Sequence, residues 1–183
     1  ESGDAVRDTA ALLDEFGNES VFVCDRFAIA VSSRLRRILA QMHIEEGTEY
    51  ETHADESRAE GELVRKGYGG RSAVKILFDD GVFEEGSRVG LAHTIHTPVR
   101  DMDRIGEAIA SGRSEVFVRA CASSNNALGS HFGSMGEYTR FPLEAWIQRG
   151  AVITLGTDQG AGRTANLFQV MLEERGRHPE ELK

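Results

Sequence analysis

The feature that most constrains this chain is its alternation of short apolar β-type runs with amphipathic helical stretches. Residues 21–24 with 27–31, then 49–53, 88–93, 115–121 and 151–158 carry strand-like patterns. Helical spacing fills the intervals. Val6, Ala10, Leu13 and Phe16 recur along 4–16 before Gly17. Ser32 and Ser33 stand as caps before Leu35, Ile38, Leu39 and Met42. A weak, Gly-broken helix is expected over 57–66 and a better one over 72–78. A stronger one is capped by Thr97, with Pro98 at its first position and Met102, Ile105 and Ile109 on one face. Residues 142–149 and 165–174 complete the set, and the Gly- and Ser-rich segment 125–138 is expected to be a long rim loop. Strands separated by helices are joined by crossovers and lie parallel. A closed eight-stranded barrel takes about 250 residues, and 183 residues fall short by roughly two or three strand–helix units. The expected fold is therefore α/β. It is a partial (β/α)8 barrel of about five parallel strands, forming one incomplete domain over 1–183 that lacks the first strands.

Composition narrows the function by exclusion. The net charge is −9, with 21 basic against 30 acidic residues, which argues against a nucleic-acid or anionic-membrane partner. The densest basic run, Arg34-Leu-Arg-Arg37, reads as the solvated side of a helix, and Glu45-Glu46 and Glu84-Glu85 as solvated faces. Cys24 and Cys121 lie in apolar runs and read as buried free thiols of a reducing compartment, here the cytoplasm. No apolar stretch reaches membrane-spanning length and no secretory pattern opens the chain. Phe22, Phe27 and Trp146 are expected in the core.

Three of the β-runs end in or just before ligand-competent residues: His53, His93 and Asp158. In a parallel barrel such residues meet at one rim, and two imidazoles with a carboxylate suit zinc or another divalent ion. Alternation along a strand places Val89 and Leu91 on the face of His93, and Thr154 and Gly156 on that of Asp158. His96, three positions after His93, faces away. An inward His53 also carries Glu49 and Glu51 inward, which the pattern leaves unexplained. Hydrolysis needs one carboxylate to take a proton from water and one to protonate the leaving group, and Asp158 and Glu56 are the candidates for these roles. A competing reading takes Gly156–Gly162 as a phosphate-cradling loop, although it lacks the lysine of a P-loop.

The runs Thr52-His53-Ala-Asp-Glu56, Leu91-Ala-His93, Cys121 to Ser130 with Ser124 and Asn125, and Val152 to Asp158 occur in the order of the amidohydrolase superfamily. They most resemble its cytosine deaminase, guanine deaminase and triazine hydrolase branch, over about residues 27–171. The resemblance implies that His53 and Asp158 ligate a divalent metal, zinc or iron. It implies further that Asp158 accepts the proton of water, that Glu56 shuttles protons to the substrate ring, and that His93 orients water or substrate. Ser124 and Asn125 are implied at the substrate, which would be a purine, pyrimidine or triazine. A homodimer is the implied assembly.

Two features depart from that pattern. The chain holds no His-x-His pair, and Ala122 stands where the family has proline. His43, His131 and His178 are isolated and read as structural or surface residues. The chain accordingly reads as the C-terminal two-thirds of such an enzyme and as inactive alone. The alternative is a non-catalytic remnant that binds a small molecule or another subunit.

Overall fold

The computed structural model describes residues 2–129, 139–162 and 164–178. Strands β1 (Val23–Phe27), β2 (Glu49–Ala54), β3 (Ser87–His93), β4 (Ser114–Ala120) and β5 (Val152–Leu155) pair in parallel, in the order β1-β2-β3-β4-β5. Helix α1 (Ser2–Phe16) precedes β1, and α2 (Ser33–Glu46) links β1 to β2. Helices α3 (Arg58–Gly67) and α4 (Ala73–Asp79) lead to β3, and α5 (Val99–Ala110) to β4. Helices α6 (Ala122–Leu128) and α7 (Leu143–Gln148) lead to β5, and α8 (Leu167–Arg177) follows it. This is the expected strand–helix alternation. Among the described residues, no helix is long and apolar enough to cross a membrane.

Serine hydroxyls start three of these helices. Ser32, Ser57 and Ser72 accept the N–H groups of Leu35, Glu60 and Lys75, each satisfying a donor with no partner within its helix. The helix after β3 begins differently from expectation. Pro98 occupies the cap position without a side-chain bond, and the Thr97 hydroxyl is drawn instead to the Asp55 carboxylate, 3.0 Å away. The expected strand over 27–31 is a turn, closed by the Ala30 N–H on the Phe27 carbonyl.

The apolar core lies on the helix-facing side of the sheet. Val23, Tyr50, Val89, Leu91, Val116 and Val118 pack there against Leu39, Val74, Leu77, Met102, Ile105 and Trp146. Val89 and Leu91 therefore do not share a face with the cleft side of His93, contrary to strict alternation. The reason is local: His93 has φ 69°, a left-handed conformation that re-aims the last residue of the strand. Phe22 is 55% exposed and Cys24 is exposed, so neither joins the core; Cys121 is buried.

The opposite face is polar and explains Glu49 and Glu51. Arg119 donates to both carboxylates and, at 3.0 Å, to the Thr154 hydroxyl. Glu51 and Arg119 meet over Gly90, the register partner of Glu51 on β3, with Arg119 itself paired to Ala92; a Cβ at Gly90 would overlap the Glu51 carboxylate. The basic run on α2 also differs from expectation. Arg36 is fully buried, bonding Asp25 at 2.8 Å, Asp80 at 2.9 Å and the Ala28 carbonyl at 2.5 Å, while Arg37 reaches Asp80 from the surface.

Candidate active site

The carboxyl ends of the strands carry the candidate residues, where open parallel sheets and barrels bind ligands. His53 is the penultimate residue of β2, and Glu56 follows it in the link to α3. His93 ends β3, Ser124 and Asn125 lie in α6, and Asp158 follows β5. The backbone here is held in uncommon conformations. Arg26, Asp55, His93, Thr94 and Asp158 all have positive φ, between 46° and 69°. Non-glycine residues in that region cost free energy, and they persist where the surroundings dictate side-chain direction.

The imidazoles of His53 and His93 stack with centroids 5.2 Å apart. His53 Nδ1 lies 2.7 Å from the Arg26 carbonyl, and His93 Nδ1 lies 2.7 Å from the Asn125 side-chain oxygen. Both partner oxygens accept, so each Nδ1 carries a proton, and in the neutral ring the lone pair lies on Nε2. Burial lowers the His93 pKa, against the raising effect of Glu56 and the Asn125 bond, which favours the neutral ring. Its Nε2 is buried without a hydrogen bond among the described residues, 3.9 Å from the nearer Asp158 oxygen. A Glu56 oxygen lies 3.9 Å from His93 Nδ1. Glu56, His93 and Asp158 each offer a ligand atom, all within 4.8 Å of one another. Two imidazoles beside two carboxylates suit a divalent ion, and the orphaned buried Nε2 of His93 is the kind of atom that such an ion, or a water beside it, satisfies. Arg26, Phe27, His53, Glu56, Glu60 and Asp158 help to line a cavity of about 190 Å³.

Ser124 and Asn125 were expected near the substrate, with Asn125 opening the rim loop; both are fully buried in α6. The Ser124 hydroxyl donates to Asp158, and Asn125 holds His93. Helical periodicity missed α6 because its buried face is polar. Its one readable signal is Gly129, which ends the helix at φ 67°. Most of the Gly- and Ser-rich segment, including His131, lies outside the described residues. The Gly156–Gly162 loop is not a phosphate cradle: the Ala161 and Gly162 N–H groups are spent on the Asp158 carbonyl, and α8 starts only at Leu167. His43 is structural, bridging the Thr48 and Val82 carbonyls, and His96 lines a separate cavity.

Two acids that sequence reasoning passed over flank Glu56. Burial pushes the Glu60 carboxyl up to about 7 and that of Asp55 up to about 6. For Asp55 the Thr97 bond pulls downward and Asp101 adds to the rise. An acid with a raised folded-state pKa makes the folded chain hold more protons than the unfolded one between about pH 4 and 6. Stability then falls as pH rises through that window and levels off above it. Asp55→Asn keeps an oxygen for Thr97 and tolerates φ 50°. It is expected to gain about 2 kcal/mol at pH 7 and to lessen the dependence between pH 4 and 6, leaving the share of Glu60. Urea unfolding at pH 4 and pH 7 reads this directly, and a variant no more stable than the parent at pH 7 contradicts it.

Comparison with known proteins adds a lineage. The profile of the amidohydrolase family matches residues 6–179. A 5-methylthioadenosine/S-adenosylhomocysteine deaminase of Pelotomaculum thermopropionicum is 36% identical over 129 residues, covering 70% of this chain and 25% of that protein. Its namesake from Aquifex aeolicus is 29% identical over 164 residues, covering 88% of this chain and 34% of the relative. Among solved structures, guanine deaminase of C. acetobutylicum with bound guanine superposes at TM-score 0.79 and 19% identity, covering 99% of this chain and 42% of its own. Atrazine chlorohydrolase of Arthrobacter aurescens, complexed with zinc and atraton, superposes at TM-score 0.75 and 17% identity, covering 99% of this chain and 38% of its own. The chain thus spans a quarter to a third of the length of the curated relatives it matches.

Proposed function

Because this chain belongs to the amidohydrolase family, we propose that the whole protein is a metal-dependent hydrolase. Its reaction would be deamination, or the related dechlorination, at a ring carbon of a nitrogen heterocycle such as a purine, pyrimidine or triazine. The observation that carries this reading is the gathering of Glu56, His93 and Asp158 beside His53, with an orphaned Nε2 among them. The names of the relatives support it.

In this reading His53, through Nε2, and Asp158 hold the ion, which we take to be zinc. When bound, a divalent ion supplies the Lewis acidity that makes water acidic near neutral pH. Asp158 takes a proton from the attacking water. His93 orients that water through the Nε2 lone pair; its proton is committed to Asn125, so it does not polarise the ring as a donor. Glu56 gives its proton to the ring nitrogen; on collapse it recovers the proton of the added hydroxyl, while the water proton held by Asp158 passes to the departing amine, which leaves as ammonia. Ser124 and Asn125 are positioning residues, since they touch Asp158 and His93 and not the cleft. We also infer a cytoplasmic setting, supported by two free cysteines, and a homodimer, supported by the family resemblance. The segment is read as part of one barrel domain.

The test is ammonia or chloride release by the whole protein from a panel of aminopurines, aminopyrimidines and chlorotriazines. Turnover of at least one class is expected, falling at least a hundredfold after chelation and returning with zinc. A protein that binds such rings yet releases nothing, metal-loaded, is a binding module instead.

A further inference from the structure

We propose that Glu60 is a positioning residue for Glu56, holding the proton-shuttling carboxylate in place through its backbone. The inference rests on the catalytic role given to Glu56 above. Ser57 begins α3 and Glu60 is its third residue, the spacing of a capping box. One half of that device is as expected, with the Glu60 N–H on the Ser57 hydroxyl at 3.1 Å. In the usual other half, the glutamate side chain returns to the N–H of the capping residue. Here the Glu60 carboxylate still feels the Ser57 backbone N–H but also reaches one residue further back and accepts the Glu56 N–H at 2.8 Å.

The rest of the link is fixed by other means. The Asp55 carbonyl accepts the His96 N–H at 2.9 Å, the Asp55 carboxylate accepts the Thr97 hydroxyl, and the Ser57 carbonyl accepts the Gly61 N–H at 3.1 Å. The hold on the Glu56 N–H comes from a side chain that itself lines the active-site cavity. Stability alone does not favour this arrangement. The second Glu60 oxygen is buried with no hydrogen-bond partner among the described residues, and Asp55 and Glu56 are close enough to repel its charge. A buried unpaired carboxylate oxygen is costly, and an ordinary cap would satisfy the helix from a solvated position. The cost is accounted for if the bond fixes a group that must sit within a few tenths of an ångström of the substrate.

The experiment compares the whole protein with its Glu60→Gln and Glu60→Ala variants. Glutamine keeps an acceptor oxygen for the Glu56 N–H, and alanine removes it. Two readouts are taken: hydrogen exchange of the Glu56 amide, and kcat and KM for the best heterocycle. The expected result is a protected Glu56 amide in the parent and in Glu60→Gln, with at least tenfold faster exchange in Glu60→Ala. The alanine variant should lose tenfold or more in kcat with KM within threefold, and glutamine should restore kcat to within threefold. Equal Glu56 exchange in all three proteins overturns the proposal, as does an equal kcat loss in both variants. Exchange needs no substrate, so a parent that turns over nothing counts against the hydrolase reading while exchange alone decides the role of Glu60.

Discussion

Replacing Arg36 by methionine is expected to cost about 3–5 kcal/mol of folding stability, the usual penalty for breaking a buried ion pair from one side. Arg36 and Asp25 have no exposed side-chain surface and Asp80 has 1%. Removing the guanidinium leaves the fully buried Asp25 carboxyl without its cationic partner, while Asp80 keeps Arg37. Two carbonyls, of Ala28 and Val31, lose a donor as well, although the Tyr68 hydroxyl still reaches both. Burial disfavours the Arg36 charge, yet Asp25, Tyr68 and Asp80 raise its pKa overall, so the guanidinium stays charged. In a chain of this size a penalty of that order lowers Tm by roughly 10 °C. Adding Asp25→Asn should recover part of the loss by removing the stranded charge. A single variant within about 1 kcal/mol of the parent in urea unfolding contradicts the account.

That network was illegible in the sequence because a run such as Arg34-Leu-Arg-Arg37 does not show which arginine faces the sheet. Helical phase alone could have separated Arg36 from its neighbours, but only once the apolar face of α2 was anchored by Leu39 and Ala40. The strand–helix alternation was readable because each apolar run fills one side of a layer and crossovers force parallel pairing. The inner face was half-readable. Glu49 and Glu51 demanded a cation, and Arg119 on β4 has the phase to supply it, but that match needs the register across β3. The candidate site was legible as residue types at strand ends. Its wiring was not: the left-handed turn at His93 breaks the alternation from which its neighbours were assigned, and the polar face of α6 has no apolar period to reveal it.

Asp158→Asn is expected to reduce kcat/KM of the whole protein by about a thousandfold, within the range lost with a general base. The substitution is a sharp probe because little else should change. Asp158 sits at φ 46°, a conformation asparagine adopts readily and alanine does not. Asparagine can still accept the Ser124 hydroxyl, which preserves the tie to α6. What disappears is the basicity facing His93 Nε2 at 3.9 Å and one anionic donor to the ion. Two consequences separate. Loss of the base lowers kcat at full metal occupancy, whereas loss of a ligand lowers the metal content at equal protein. Measuring zinc stoichiometry alongside turnover tells them apart. Ser124→Ala, which leaves the carboxylate but frees its rotation, should cost far less, about tenfold, because it perturbs placement and not charge. Turnover by Asp158→Asn within tenfold of the parent would remove Asp158 from the mechanism, and with it the proposed use of this strand end.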